Sequence, residues 1–310
     1  MFGSPGSGAY HAAADCGSPR GNSPISTDPS NLDTSDAASV SPAAGPFRLV
    51  AIDVDGTLLR SDRRISRATA ETIEDATRRG VRVVLASARP PRSLRPIHDQ
   101  LGLDNLQINY NGALIHDLKR RRHLFHQPLP AALARRVIKV ARRVDPKVLV
   151  SIEILDKWYT DNFDDSLSTE TSRSFAPDFI GPLESFLHVP VTKLMLLAPP
   201  HRLEPVREAV VHRFPGQIAM TISDAHLLQI IHPDVDKASA LARVAEHYGV
   251  PQQRVFSIGD APNDIGMLRW AGLGASLENG WPAVREAADV VVQSNDKDGV
   301  AEALRRFVLV

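Results

Sequence analysis

Short apolar runs alternate with helix-compatible segments in this chain, and the alternation restricts the possible folds more than any other feature. An apolar run at 47–52 is followed by a predicted helix at 66–79, and further apolar runs lie at 81–86 and 106–109. Each run is too short for a helix and is bounded by turn-forming residues, which indicates a buried strand. Strands that alternate with helices through short loops form a parallel sheet with helices on both faces.

The alternation is interrupted between residues 129 and 229 and then resumes as far as the C-terminus. In the interrupted stretch a basic amphipathic helix at 131–143 precedes several strand-like runs, a pattern typical of an α+β unit with a mainly antiparallel sheet. The sequence therefore predicts an α/β fold with a Rossmann-like parallel-sheet core, built discontinuously from residues 47–128 and 230–310. Residues 129–229 are predicted to form an α+β cap domain inserted into this core.

The first 46 residues differ from the rest of the chain. Nearly half are glycine, serine or proline, and large apolar side chains are almost absent, so we expect residues 1–46 to form a disordered tail. The tail lacks the apolar run of a secretory signal, and no stretch approaches the ~20 apolar residues that cross a bilayer. The single cysteine, Cys16, allows no intramolecular disulfide. We therefore expect a cytoplasmic protein.

The overall charge gives no reason to expect a polyanionic partner. Lysine plus arginine and aspartate plus glutamate number 36 each, so the formal net charge is zero. A neutral chain has no general attraction for nucleic acid or for an acidic membrane surface. We therefore expect neither as a partner, and we expect anion recognition to be confined to a pocket.

A pair of carboxylates follows the first predicted strand. Asp53 and Asp55 come directly after the run that ends at Ile52, and Gly56 follows them. Side chains two residues apart on an extended segment point the same way, so both carboxylates are predicted to face one crevice. Ligands of open α/β sheets bind outside the carboxyl ends of the strands, where these residues lie.

A second polar group follows an apolar run near the C-terminus. Asp260 comes after this run, and Asn263 and Asp264 follow Pro262, which suits the first position of a helix. If the two strand ends share one edge of the sheet, three or four carboxylates converge there. Such a cluster is mutually repulsive without a cation, and oxygen ligands of this kind suit Mg²⁺. The sequence therefore predicts a magnesium site.

Two further positions offer groups that bind phosphoryl oxygens. Ser87 follows the second predicted strand, and Lys237 begins a predicted helix. A hydroxyl, backbone donors and an ammonium are suited to hold a phosphoryl group. Combined with a carboxylate nucleophile, an acid/base and a metal, they indicate phosphoryl transfer through an acyl phosphate.

Four motifs stand in order along the chain: Asp53-x-Asp55-Gly56-Thr57-Leu58-Leu59, then Ala86-Ser87-Ala88-Arg89-Pro90, then Lys237, then Gly259-Asp260-x-x-Asn263-Asp264-Ile265-x-Met267-Leu268. In this order and spacing they resemble the motifs of the haloacid dehalogenase-like (HAD) phosphatases. The resemblance is to the Cof-type subgroup, in which a large cap (type IIB) lies between the second and third motifs. The chain departs from the subgroup's usual pattern at three places: Ser87-Ala88 stands where Thr-Gly is usual, Ala238 stands where Gly is common, and Ala261-Pro262 occupy the variable positions of the fourth motif. None of these departures removes a reacting group.

The resemblance implies a role for each reacting side chain. Asp53 would attack phosphorus and become an aspartyl phosphate. Asp55 would protonate the leaving oxygen and then activate the hydrolytic water. Ser87 and Lys237 would hold the phosphoryl group that is transferred.

The resemblance also implies a ligand set for Mg²⁺. The carboxylate of Asp53, the carbonyl of Asp55 and Asp260 would hold the ion. Asn263 and Asp264 would anchor waters or the surrounding loop. A bound cation would allow a carboxylate to approach an anionic phosphate.

Several other residues have more than one interpretation. Arg89 either forms a structural ion pair or contacts substrate, and Asn111 is expected near the cap hinge, where substrate contact is possible. The basic run at 119–122 is expected on a solvated turn between two strands. Candidate specificity residues in the insertion are Lys193, Glu153 and Asp161.

The predicted enzyme is thus a Mg²⁺-dependent phosphatase acting on a small phosphorylated metabolite such as a sugar phosphate. A phosphomutase on the same scaffold is one alternative, and a non-catalytic sensor of phosphorylated ligands is another. A sensor needs no nucleophile, so the presence of every reacting carboxylate favours an enzyme. The residues predict no particular oligomeric state.

Overall fold

The computed structural model describes residues 46–167, 169 and 171–310, which form two β-sheets flanked by helices. The tail predicted to be disordered, residues 1–46, lies outside the described residues except for Pro46. The two sheets account for all fourteen strands of the described residues.

The first sheet has eight strands in the order β14-β13-β12-β1-β2-β3-β4-β5. Its strands are β1 Leu49–Asp53, β2 Arg82–Ala86, β3 Leu106–Asn109, β4 Leu114–Asp117, β5 Arg122–His126, β12 Val255–Gly259, β13 Leu273–Leu277 and β14 Val290–Val292. Six of them are parallel, from β14 to β3. The α/β fold with a parallel-sheet core is therefore confirmed.

The edge of this sheet departs from the predicted parallel arrangement. Strands β4 and β5 form an antiparallel hairpin that pairs with β3. The basic run at 119–122 lies at the exposed hairpin turn, where Lys119 pairs with Asp104 and Arg120 with Asp117. The expected position of this run between two strands is confirmed.

Both faces of the first sheet are covered, as the continuous apolar runs require. In β1, Val50 and Ile52 pack into a core with Ile73, on the opposite side from Leu49 and Ala51. Successive side chains of a strand point to opposite faces, so a strand buried on both sides reads as an unbroken apolar run. The burial of both faces explains why the strand has no polar position before Asp53.

In the part of the chain that the structure describes, eight α-helices connect or cover the strands. They are α1 Arg67–Arg78, α2 Pro91–Gln100, α3 Ala131–Val144, α4 Pro200–Arg213, α5 Lys237–His247, α6 Ile265–Trp270, α7 Pro282–Ala287 and α8 Gly299–Ala303. The predicted helix at 66–79 is one residue longer at each end than α1, because Ser66 is the N-cap and accepts a hydrogen bond from the backbone of Thr69. The helix for which Pro262 suits the first position starts instead as a 3₁₀ turn, Pro262–Asp264, before α6.

The second sheet has six strands in the order β10-β11-β9-β6-β7-β8. They are β6 Leu149–Ile154, β7 Lys157–Thr160, β8 Phe179–Ile180, β9 Lys193–Leu197, β10 Ala219–Asp224 and β11 Leu227–Ile231. All neighbours are antiparallel except β7 and β8. Strand β11 extends two residues past position 229, where the inserted unit was predicted to end.

The two faces of the second sheet differ in polarity. Leu194 and Leu196 of β9 pack into an apolar core with Val137 of α3 and Val206 of α4. The opposite face of β9 carries Lys193, which lies beside Glu153 of β6 in register. The Lys193 face also holds a smaller apolar cluster of Trp158, Met195, Leu197 and Leu227, so both faces are buried and the charged pair is what distinguishes them.

Candidate active site

Three parallel strands bring their carboxyl ends to one edge of the first sheet. Asp53 is the last residue of β1, Ser87 directly follows β2, and Asp260 directly follows β12. Strand β1 pairs with both neighbours, with Ile52 opposite Ile258 and Asp53 opposite Ala86. The register therefore places all three polar residues at the same edge, as the sequence predicted.

Lys237 is completely buried beside this edge. Asp236 is the N-cap of α5, with its side chain accepting a hydrogen bond from the backbone N–H of Ser239, so Lys237 occupies the first helical position. Its ammonium donates to Asp53 Oδ1 at 2.5 Å and to Asp264 Oδ1 at 2.6 Å. A buried charge needs such partners, and Lys237 joins two of the four motifs.

Asp53, Asp260 and Asp264 form an acidic cluster in which one oxygen of each lies within 4.8 Å of the others. The second oxygen of Asp264 accepts hydrogen bonds from the backbone N–H groups of Asp260 and Ala261, at 3.1 and 3.0 Å. Thr57 donates to Asp260 Oδ1 at 2.6 Å. Asp264 therefore shapes the loop that carries Asp260, and Thr57 orients its carboxylate.

Negative charge in this acidic cluster exceeds the positive charge nearby. Burial and the charge of Asp264 raise the pKa of Asp53 well above its usual value, although Lys237 opposes the shift. Burial likewise raises the pKa of Asp260 to about 6. Burial disfavours the charge of Lys237, but the two carboxylates outweigh it and raise the pKa of the ammonium. Carboxylates that converge in a buried site raise one another's pKa, and a bound cation would oppose this effect.

Asp55 does not join the acidic cluster. Its side chain is 46% exposed and forms a two-point ion pair with Arg89, whose Nε donates to Asp55 Oδ2 at 2.8 Å and whose Nη2 donates to Oδ1. That Asp53 and Asp55 face one crevice stays a prediction, and the charge of Asp55 is near enough to contribute to the raised pKa of both Asp53 and Asp260. Regular strand geometry ends at Asp53, and the chain turns at Gly56, where φ is +83°.

Asn263 and Asn111 contact each other rather than the acidic cluster. The amide of Asn263 donates to Asn111 Oδ1 at 2.9 Å, and the backbone N–H of Asn111 donates to the carbonyl of Ser87 at 3.0 Å. Ser87 is buried, and its Oγ accepts the backbone N–H of Arg89 at 3.2 Å. Asn111 therefore links the loops that carry Ser87 and Asn263.

Two contributors to the site were missed at the level of sequence. Thr57 stands within the first motif, so its position was a usable signal for the contact with Asp260. Tyr110, which is fully buried and donates to Glu153 Oε2 at 2.6 Å, had no such signal between two asparagines. Its partner belongs to the second sheet, 43 residues away.

Gly56 allows the closest approach within the site, and its replacement by alanine should disturb Asp260. A Cβ at Gly56 would lie 2.5 Å from Asp260 Oδ2, in a backbone conformation that side chains disfavour. Positive φ alone costs about 1–2 kcal/mol, and the steric conflict adds about 1–3 kcal/mol. We expect Gly56→Ala to lower the denaturation midpoint and to weaken divalent-cation binding, measured by urea unfolding and calorimetry.

Gly102→Ala is the matched control. Gly102 also has a positive φ, +61°, but a Cβ there would meet nothing within 4 Å. This variant should show the backbone penalty alone and bind cations as the wild type does. Equal effects from both variants would mean that Gly56 has no special relation to Asp260.

Within the described ranges, none of the helices is long and apolar enough to span a lipid bilayer. The three described residues that are grouped closely enough to hold a metal are the acidic cluster itself.

The sequence and the fold of this chain are similar to those of known hydrolases. The chain is 29% identical over 265 residues to 5-amino-6-(5-phospho-D-ribitylamino)uracil phosphatase YitU of Bacillus subtilis, covering 84% of this chain and 97% of that protein. A haloacid dehalogenase-like hydrolase of Bacteroides thetaiotaomicron superposes with a TM-score of 0.77 at 28% identity, covering 84% of this chain and 99% of that one. A HAD subclass IIB sugar phosphatase shares the fold, with a TM-score of 0.73 at 19% identity over 85% of this chain and 100% of that one.

The family model for haloacid dehalogenase-like hydrolases matches residues 50–304, which include all four motifs and both sheets. The match covers most of the chain, and two relatives from Bacillus subtilis, 29% and 30% identical to it, are named phosphatases. The resemblance inferred from the motifs is confirmed: this chain belongs to the haloacid dehalogenase-like hydrolase family and is an enzyme.

Proposed function

We propose that this protein is a Mg²⁺-dependent phosphatase that hydrolyses phosphate monoesters of small metabolites, sugar phosphates in particular, through an aspartyl phosphate on Asp53. One observation carries the proposal. The ammonium of Lys237 holds one oxygen of the buried Asp53 carboxylate, while the other oxygen has no hydrogen-bond partner among the described residues. A carboxylate anchored at one oxygen keeps the other available for a new bond, as a nucleophile requires.

The acidic cluster fits a magnesium ion by charge and by donor type. Three ionised carboxylates and one ammonium have a net charge of about −2, which a divalent cation neutralises. We propose that the carboxylates of Asp53 and Asp260 and the carbonyl of Asp55 hold the ion, with Asp264 and Asn263 supporting the loop. When bound, the ion supplies the positive charge that lets a carboxylate meet an anionic phosphate.

The reaction follows in two displacements. The Asp53 carboxylate forms a bond to phosphorus as the bond to the leaving oxygen breaks, and Asp55 gives that oxygen its proton. Asp55 then takes a proton from water, whose oxygen attacks phosphorus and releases inorganic phosphate from Asp53. Ser87 and Lys237 hold the phosphoryl oxygens through both displacements.

Asp55 must change partners for this role. In this structure its two oxygens are engaged by Arg89 at the mouth of the site. We propose that an entering substrate replaces this pair, so that Asp55 reaches the leaving oxygen and Arg89 contacts the substrate. Both interpretations of Arg89, the structural pair and the substrate contact, then apply at successive stages.

The inserted unit is proposed to select the substrate. We propose residues 47–128 and 230–310 as the catalytic core and residues 129–229 as its cap, which covers the site and excludes water. The relative from Bacillus subtilis is named for a substrate with a phosphorylated ribityl chain. A polyol phosphate of that kind and a sugar phosphate present the same ester to the catalytic groups.

Phosphate release tests the proposed function directly. Purified protein is incubated with a panel of phosphorylated metabolites, with Mg²⁺ and with a chelator. We expect release of inorganic phosphate from one or more monoesters with Mg²⁺ and none with the chelator. Absence of release from every compound, or release that needs a bisphosphate activator, would count against a phosphatase.

Magnesium is also expected to stabilise the fold. A cation that binds only the folded state at 100 times its dissociation constant adds about 2.7 kcal/mol. Thermal unfolding with and without Mg²⁺ measures this effect. The shift should disappear in Asp260→Asn and persist in Asp104→Asn, because Asp104 lies exposed before β3, away from the acidic cluster. An unchanged shift in Asp260→Asn would place the ion elsewhere.

A further inference from the structure

The loop that carries Ser87 is held in place by hydrogen bonds that three of its consecutive carbonyl groups accept. The carbonyl of Ser87 accepts the backbone N–H of Asn111 at 3.0 Å, and the carbonyl of Arg89 accepts that of Tyr110 at 3.3 Å. The carbonyl between them, that of Ala88, accepts the ammonium of Lys193 at 3.3 Å. Lys193 belongs to β9, so the second sheet supplies one of the donors that hold this loop in the first.

The segment that supplies the other two donors is itself tightly constrained. Tyr110 and Asn111 have φ values of +53° and +55°, which non-glycine residues seldom adopt. A Cβ at Gly112 would lie 2.2 Å from the carbonyl oxygen of Asp236, the residue before Lys237. The segment at 110–112 is therefore packed closely between the Ser87 loop and the start of α5. Unusual backbone conformations held by their surroundings concentrate at functional sites.

The position of Lys193 is fixed by buried polar groups. Its side chain is 5% exposed, its ammonium lies 3.1 Å from Glu153 Oε1, and it lies 5.1 Å from the centre of the Tyr110 ring. The hydroxyl of Tyr110 donates to the other oxygen of Glu153 at 2.6 Å. These contacts join Ala88, Lys193, Glu153 and Tyr110 in one network that connects the two sheets.

A buried ion pair of this kind contributes little stability compared with apolar side chains of the same size. What it provides is a defined geometry, because each partner can be satisfied in only one arrangement. A carbonyl held by an outside donor also fixes the orientation of its peptide group. The contact between Lys193 and Ala88 therefore restrains the peptide plane next to Ser87.

We propose that Lys193 is a positioning residue that orders the Ser87 loop for phosphoryl transfer only when the second sheet is packed against the first. The inference rests on the proposed function, in which Ser87 holds the phosphoryl group. Lys193 acts through the Ala88 carbonyl, and Glu153 and Tyr110 hold the ammonium in place. The position of the inserted unit relative to the first sheet is thereby coupled to the ordering of the Ser87 loop.

The decisive variant is the double substitution Lys193→Met with Glu153→Gln, which removes the donor to Ala88 without leaving a buried charge alone. We expect the exchange rates of the Tyr110 and Asn111 amides to rise about tenfold, while those of β1 stay unchanged. With p-nitrophenyl phosphate and Mg²⁺, we expect kcat to fall about 10- to 30-fold and KM to change less than about threefold, because loop order matters most in the transition state.

Two further measurements separate positioning from simple packing. In a Ser87→Ala background the same double substitution should lower kcat by less than about twofold, since its effect passes through that loop. Glu153→Gln alone removes the carboxylate that holds the ammonium in place, so the exchange rates of the Tyr110 and Asn111 amides should rise in this variant too, by no more than in the double variant. Lys139→Met, at an exposed position of α3, should change nothing.

Each failure has its own meaning. Unchanged amide exchange in the double variant overturns the inference whatever the activity. Increased exchange with an unchanged kcat also overturns the inference, because the contact would then be structural only. Additive effects of the substitutions in the Ser87→Ala background would overturn it as well. A wild type that releases no phosphate defeats the proposed function, and the exchange rates still decide whether Lys193 orders the loop.

Discussion

Replacement of Asp53 by asparagine is expected to lower phosphate release by about 10⁴-fold or more, as removal of a covalent nucleophile does in other hydrolases. Asparagine keeps the size of the side chain and an oxygen for Lys237, which donates to Asp53 Oδ1 at 2.5 Å. It cannot form the acyl phosphate, because an amide is not a comparable nucleophile. Steady-state release of phosphate with the best substrate of the metabolite panel measures the loss.

The same variant should be no less stable than the wild type in the absence of Mg²⁺. Burial and Asp264 raise the pKa of Asp53, so the ionised carboxylate is unfavourable where it lies and a neutral amide removes that penalty. Lys237 keeps Asp264 as a partner. Thermal unfolding without metal tests this point, with Asp104→Asn as the control. Wild-type turnover in Asp53→Asn would refute the nucleophile, and a much lower melting temperature would make the activity loss uninformative.

The convergence of the site was predictable because it depends on local patterns. Apolar runs identify β1 and β12, and parallel pairing brings the residues after them to one edge. Asp53, Asp260 and Lys237 follow from that rule together with the order of the motifs. The residue at the end of each strand was enough to place Asp53 and Asp260, whereas Lys237, which begins α5, also needed the order of the motifs.

The orientation of Asp55 was not predictable by the same rule. Alternation of side chains holds within a strand, and β1 ends before Asp55. The direction of its carboxylate is decided by Arg89, which lies 34 residues away in sequence and arrives on a different loop. Contacts of this type depend on how loops meet after folding, which residue spacing does not encode.

Local sequence patterns gave even less indication of the contacts between the two sheets. Tyr110 meets Glu153 and Lys193 meets Ala88 across 43 and 105 residues. The sequence marked Glu153 and Lys193 only as candidate specificity residues of the insertion. A charged residue within a strand signals a partner, but the partner becomes visible only when the two sheets are seen together.

Replacement of Lys237 by methionine is expected to produce the largest loss of stability in this protein. The ammonium is fully buried and pairs with Asp53 and Asp264, so its removal leaves two buried carboxylates without a counter-charge. Breaking a buried pair by removing one partner costs about 3–5 kcal/mol. Urea unfolding should show this loss, and phosphate release should disappear because the phosphoryl group and Asp53 lose the same donor.

The double variant Lys237→Met with Asp264→Asn separates charge from packing. With one carboxylate neutralised, much of the lost stability should return, because the remaining penalty is that of Asp53 alone. Activity should stay absent, since asparagine restores no ammonium. Lys139→Met, in which an exposed lysine is replaced, should match the wild type in both measurements. If Lys237→Met unfolded at the wild-type urea concentration, the ammonium would not be the charge that makes the acidic cluster tolerable, and the cation would have to provide that balance by itself.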